Sequence, residues 1–196
     1  MSEMKSAFER AMERAERLGR ASEEDLRKWQ YIPEGERLAA QYLRDECDLV
    51  TELGKYGDEV RQHAVEGAQQ VLVKNIDVPK NDLAKRKNKK AMEAIKELKR
   101  DKVGIENVYT KVRRVLNHYE QEGEQQRKQV YEEIKRDVEA KMRQAVQQQL
   151  GASAPMRINV EAQPQFQQEW RRALAQMDSQ YNKLLDEYRR EILSIP

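Results

Sequence analysis

From Ile105 to Leu150 the chain carries no proline, and its apolar side chains return every three or four residues. Ile105, Val108, Val112, Val115, Leu116 and Tyr119 begin the series; Val130, Ile134, Val138, Met142, Ala145 and Val146 continue it. That is the period of one stripe on an α-helix. It predicts a single helix over 105–150, roughly 70 Å long at about 1.5 Å per residue. A second run is as regular. Phe166, Trp170, Leu174, Met177, Tyr181, Leu184, Tyr188 and Ile192 alternate by fours and threes, a heptad-like seam. Two helices of this length exclude β-rich and α/β folds of ordinary proportions and predict an all-α chain.

Composition agrees. Ala, Glu, Lys, Leu and Arg make up nearly half of the 196 residues, the share typical of long helices and coiled coils. Leu, Ile, Val and Phe together fall just under a fifth, and the mean hydropathy is −1.02. Disorder would also require a high net charge, and 37 basic against 35 acidic residues leave only +2. Narrow apolar stripes on long helices reconcile few large apolar residues with order. No apolar run approaches the roughly 20 residues of a membrane span. The acidic residues of MSEMKSAFERAMERAERLG argue against a secretory leader. A lone Cys47 forms no internal disulfide, so a cytoplasmic protein is expected.

The N-terminal half reads as shorter helices. Met4, Ala7, Phe8, Ala11, Met12, Ala15 and Leu18 form one stripe, with Gly19 at the C-terminal end. Ser22 and Asp25 are spaced as a capping box. The helix they open is expected to run through Trp29 and stop at Ile32-Pro33, since the residue before proline avoids the α region. Leu38, Tyr42, Leu49, Val50 and Leu53 then mark a third helix. The small residues Ala64, Gly67 and Ala68 would admit a neighbouring helix closely. Asn81 or Asp82 caps a fifth helix, with Leu83, Ala91, Ala94, Ile95 and Leu98 facing inward.

These elements suggest an N-terminal helical bundle over 1–102. Residues 103–196 would form a projecting antiparallel, coiled-coil-like hairpin with an irregular tip at 151–164. The last helix, being shorter, would cover residues from about 150 back to the low 120s; Ile105 to Tyr119 would need the N-terminal helices. The window 120–129 (EQEGEQQRKQ) lacks large apolar residues, so it is either exposed all round or loosened at Gly123.

Four features bear on function. Residues 80–102 hold ten Lys/Arg and four Asp/Glu, set against an acidic stretch over 1–79. Lys85, Arg86, Lys87, Lys89 and Lys90 could bind nucleic-acid phosphates, or the segment could dock on acidic parts of the same chain. No aromatic residue interleaves with them to stack bases. At the tip, Met156, Ile158, Val160 and Phe166 form either an apolar edge for a partner protein or a fold-back that caps the helices. Asp45, Asp48 and Glu52, spaced along one helix face, lack the signature of a calcium loop. His63 and His118 lie in no Glu-x-x-His or zinc spacing. Cys47 reads as a small buried filler. No phosphate-cradling glycine motif or nucleophile elbow is present. No metal, cofactor or reaction is therefore expected.

KSAFERAMERAERLG, EGERLAAQYL, QQRKQVYEEIKRDVEAKMRQAVQQQLG and QPQFQQEWRR together resemble a family of all-helical bacterial proteins of unknown function. The resemblance covers most of the chain and carries no catalytic motif. It implies a bacterial cytoplasmic protein and no mechanism. The leading expectation is a non-enzymatic helical interaction or scaffold protein with a protein partner or a second copy of itself. The alternative is a nucleic-acid- or ribosome-associated protein using 80–102. No membrane partner is expected.

Overall fold

The computed structural model describes residues 22–150 and 159–196. Among these the protein is all-α, with no strand. No described helix is long and apolar enough to cross a membrane. The helices are α1 (Glu23–Leu43), α2 (Leu49–Leu53), α3 (Asp58–Lys74), α4 (Asp82–Leu98), α5 (Lys102–Glu120), α6 (Glu122–Leu150) and α7 (Pro164–Ser194). The described residues fall into two compact units, one ending at Leu72 and the other beginning at Val73. The expected helix over Met4–Leu18 lies outside the described residues, as do Met156 and Ile158.

In the N-terminal unit the capping box forms as the sequence predicts. The Ser22 hydroxyl accepts from Asp25 N at 3.1 Å, and the Asp25 carboxylate accepts from Ser22 N at 3.2 Å. Such a cap is worth about 1 kcal/mol. The stop at Pro33 does not occur: α1 continues to Leu43 with Pro33 inside it and exposed. Packing outweighs the lost backbone hydrogen bond. The ring of Tyr31 meets that of Tyr56 edge-on at 5.8 Å, and Leu38 and Ala39 are buried just beyond the proline.

Two glycines fasten α1 to α3. A Cβ at Gly35 would lie 1.8 Å from the Ala64 carbonyl oxygen, and one at Gly67 would lie 2.0 Å from that of Ile32. The helices thus meet backbone to backbone, as the Ala64-Gly67-Ala68 stripe implied. The helix expected across Leu38–Leu53 is broken in two. Asp45 adopts φ 64°, and the Asp48 side chain caps α2 by accepting from Thr51 N at 2.8 Å. Asp and Asn tolerate the left-handed region better than other non-glycine residues.

In the C-terminal unit Asn81 caps α4, accepting from Ala84 N at 2.9 Å. Ala91, Met92, Ala94 and Ile95 face inward, but Leu83 is 62% exposed, contrary to expectation. At the first turn of the helix, Leu83 lies beyond the packed face. Residues 80–102, assigned from sequence to the N-terminal bundle, belong to this unit. Their helix lies against α5, with the Tyr109 hydroxyl donating to the Met92 carbonyl at 2.7 Å.

The 46-residue helix is divided at Gln121 (φ −91°, ψ −77°). Gly123 is buried there; a Cβ on it would lie 2.9 Å from the Tyr181 hydroxyl and 3.1 Å from Arg127 Nη1. The loosening foreseen near Gly123 therefore accommodates Tyr181.

Besides α4, the last of the helices assigned from sequence to the N-terminal bundle, α5 has α7 as its partner. Lys111 meets Glu191 at 2.8 Å, His118 meets Tyr181 at 2.9 Å, and Tyr119 meets Asp178 at 3.1 Å. Farther along, Tyr131 of α6 packs edge-on against Phe166 and Trp170, each at 5.2 Å, and Lys135 meets Glu161 at 2.7 Å. The return begins opposite Lys135 and Val138 rather than opposite residue 150, so α7 reaches back along the whole of α5. Its end is held there: the Pro196 carbonyl accepts from the backbone N–H groups of Arg100 and Asp101 at 3.0 and 3.2 Å. The buried Lys99 ammonium donates to the Leu193 and Ile195 carbonyls, and burial depresses its pKa.

Candidate functional site

The basic helix divides by face. Asn88 is buried, exchanging two hydrogen bonds with the backbone of Asp77 at 2.9 and 2.6 Å, which ties the 75–80 segment to α4. Lys85, Arg86, Lys87 and Lys89 are exposed, and Lys90 is half-buried. Lys85 lies 3.3 Å from Glu120 and Lys89 lies 3.8 Å from Glu93. Farther along, Lys96 lies 2.9 Å from Glu106. Part of the positive charge is thus met within the unit itself.

A groove of about 480 Å³ runs between α4 and α5. Lys85, Lys89, Lys96 and Arg113 stand along it, with Glu93 and Glu120, over Met92, Tyr109 and Leu116. Burial pushes the Tyr109 phenol well above its ordinary value. Arg113 lies outside the basic stretch 80–102: it comes from the following helix and is brought alongside by the antiparallel packing. A signal existed: Glu106 and Arg113 lie seven residues apart, two turns on one helix face.

The tip residues fare differently. Val160 and Phe166 are 4% and 3% exposed, packed with Val138, Tyr131, Ile134, Met142 and Trp170. They form no exposed edge; they fold back on α6, the other arrangement the sequence left open.

The turn between α5 and α6 gathers polar groups from distant parts of the chain. The Arg127 guanidinium stacks 4.2 Å from the Tyr119 ring centre and donates to the Tyr119 carbonyl at 3.1 Å. The Tyr119 hydroxyl donates to Asp178, which also meets Lys80 at 2.6 Å. Burial first, then the negative charge of Asp178, push the Tyr119 phenol up to about 12. This cluster pins α7 at the helix break. Asp48 and Glu52 likewise have local roles, as the α2 cap and in an ion pair with Lys55. His63 is buried in α3, and Cys47 is half-buried with its thiol toward the Leu38 carbonyl.

Among the described residues the most exposed aromatic side chain lies on α1. Trp29 is 69% exposed and Leu26, one turn earlier on the same side, 54%. Ion pairs rim them: Lys28 with Glu24 at 2.7 Å, and Arg27 with Glu59 at 3.0 Å. Trp29, expected from sequence at a helix end, stands instead within α1. The available signal was phase: Leu26 and Trp29 fall out of step with the Gly35-Leu38-Ala39 face that α1 buries.

No curated relative and no solved structure matches the chain. A family model does, over residues 50–194, a span that takes in the α4–α5 groove and the α5–α6 turn. The chain therefore belongs to DUF6657, a family of unknown function.

Proposed function

We propose that this is a non-enzymatic helical interaction protein that docks an amphipathic helix of a partner protein on the Leu26–Trp29 face of α1. The observation that carries this reading is the exposure of Trp29. Leaving a large aromatic side chain in water forgoes about 1.5–3 kcal/mol of burial, and tryptophans in such settings are frequent binding hot spots. Two apolar side chains three residues apart, rimmed by charge pairs, suit the helix-on-helix mode of recognition. The same reading places the protein in a bacterial cytoplasm, where Cys47 stays reduced, and treats the α5–α7 packing as coiled-coil-like.

A photo-crosslinking residue at position 29, irradiated in the native host, tests it. A discrete adduct with a different protein, lost when Leu26 is also changed to Glu, is the expected result. Adducts confined to the chain itself, whether to residues 1–21 or to a second copy, would overturn it.

A second reading keeps residues 80–102 as a nucleic-acid or ribosome contact, supported by exposed Arg86 and Lys87 on α4. It predicts retention on RNA or DNA at low salt that falls steeply as salt rises. Changing Lys85, Arg86, Lys89 and Lys90 to Glu should abolish that retention.

A further inference from the structure

We propose that the α4–α5 groove binds a small organic anion, its acid group on Lys96 and Arg113 and its apolar body along Met92 and Leu116. The site lies wholly within residues 73–196 and does not depend on the α1 reading. Its volume, about 480 Å³, falls in the range of ligand sites.

The charge arrangement selects the sign of the ligand. Lys96 comes from α4 and Arg113 from α5, and both line the groove. They share one internal carboxylate: Glu106 Oε2 lies 2.9 Å from the ammonium, and Oε1 lies 2.6 Å from the guanidinium. Glu106 itself is not part of the groove lining. Two cations therefore face one anion, and both cations hold Glu106 well below the usual carboxylate range. An ammonium has three N–H donors and a guanidinium five. A second acid group entering from the groove side would balance the charge. The two carboxylates that do line the groove, Glu93 and Glu120, stand by Lys89 and Lys85. The charge excess is thus concentrated at Lys96 and Arg113.

The floor selects the body of the ligand. Tyr109 is buried beneath the groove with its hydroxyl engaged by the Met92 carbonyl, so the apolar surface left to a ligand is that of Met92 and Leu116. The Arg113 guanidinium lies 5.8 Å from the Tyr109 ring centre, which places the cation at the edge of this apolar strip. An acid carrying an aromatic or aliphatic group matches both halves; a bare phosphate uses only one.

Two dyes of similar shape provide the test: anilinonaphthalene sulfonate, and neutral phenylnaphthylamine, which lacks the acid. Fluorescence titration should give one sulfonate per chain, with the neutral dye roughly tenfold weaker. Lys96→Gln with Arg113→Gln should weaken sulfonate binding about tenfold. Glu106→Gln removes the competing internal carboxylate and should tighten binding by about threefold or more. A loosened fold would bind both dyes more strongly, so a gain confined to the sulfonate, with the neutral dye unchanged, decides the matter should the double variant prove unfolded by circular dichroism. Equal binding of the two dyes, an unchanged affinity in a folded double variant, or no gain in Glu106→Gln would each overturn the proposal.

Discussion

Gly35 shows how a single missing atom sets the distance between two helices. Its absent Cβ is replaced by the Ala64 carbonyl, a backbone group that cannot swing aside. Gly35→Ala should therefore force α1 and α3 apart and cost about 3 kcal/mol, the upper part of the overpacking range, read as a lower urea midpoint. The α3 side of this contact was legible, because Ala64, Gly67 and Ala68 line up as a small-residue stripe. The α1 side was not, since a glycine two residues after Pro33 reads as punctuation. Tyr119 is the other residue whose burial has a measurable consequence. Its folded pKa lies above the ordinary value of 10, so between pH 10 and about 12 the unfolded chain loses a proton that the folded one keeps. Stability must fall as pH rises through that window. Tyr119→Phe should flatten part of the fall, seen in urea midpoints measured on either side of pH 10. At neutral pH it should cost about 1.5–3 kcal/mol for the lost bond to Asp178. The sequence marked Tyr119 as an inward residue but could not supply Asp178, 59 positions away, or the raised pKa that follows from it.

Helix ends were read well where side chains make them and poorly where tertiary packing does. Ser22 and Asn81 each cap through a local hydrogen bond, a relation confined to three residues and so visible in the text of the chain; Asp48 caps α2 in the same way but stood within a stretch read as one continuous helix. Pro33 is a case where packing prevailed. A proline in a helix interior costs about 3 kcal/mol relative to alanine, and α1 runs through it because Tyr31, Gly35 and Leu38 pack on either side. Since Pro33 itself is exposed, Pro33→Ala should recover roughly 1–3 kcal/mol, raising the thermal midpoint without altering the fold. The division of the long helix at Gln121 is the converse. The apolar gap over 120–129 hints only at a loosening near Gly123, yet the helix is divided there, where Tyr181 sits against Gly123.

Taken as wholes, the two compact units rest on contacts between residues far apart in sequence. The clearest is Arg189, which donates from two nitrogens to the Ile76 carbonyl at 3.0 and 2.6 Å and meets Asp186 at 2.5 Å. Its side chain is 18% exposed. Arg189→Met should destabilise the C-terminal unit by about 2–3 kcal/mol. Arg189→Lys should recover only part of this, because an ammonium lacks the planar fork; chemical denaturation of the three proteins checks the order. All-α architecture was legible from periodicity alone. The pairing of α7 with α5 was not, because the point at which the chain turns back fixes the register, and stripes on helices do not mark that point. That register carries an evolutionary corollary. The contacts 111–191, 118–181, 119–178 and 131–170 all lie along one pair of facing stripes. An inserted residue turns the rest of a helix by about 100°, so one extra residue in mid-α7 would swing every later side chain off its partner. Homologues should therefore vary freely in the identity of exposed α7 residues, while length changes in α7 come as whole heptads matched in the facing helices.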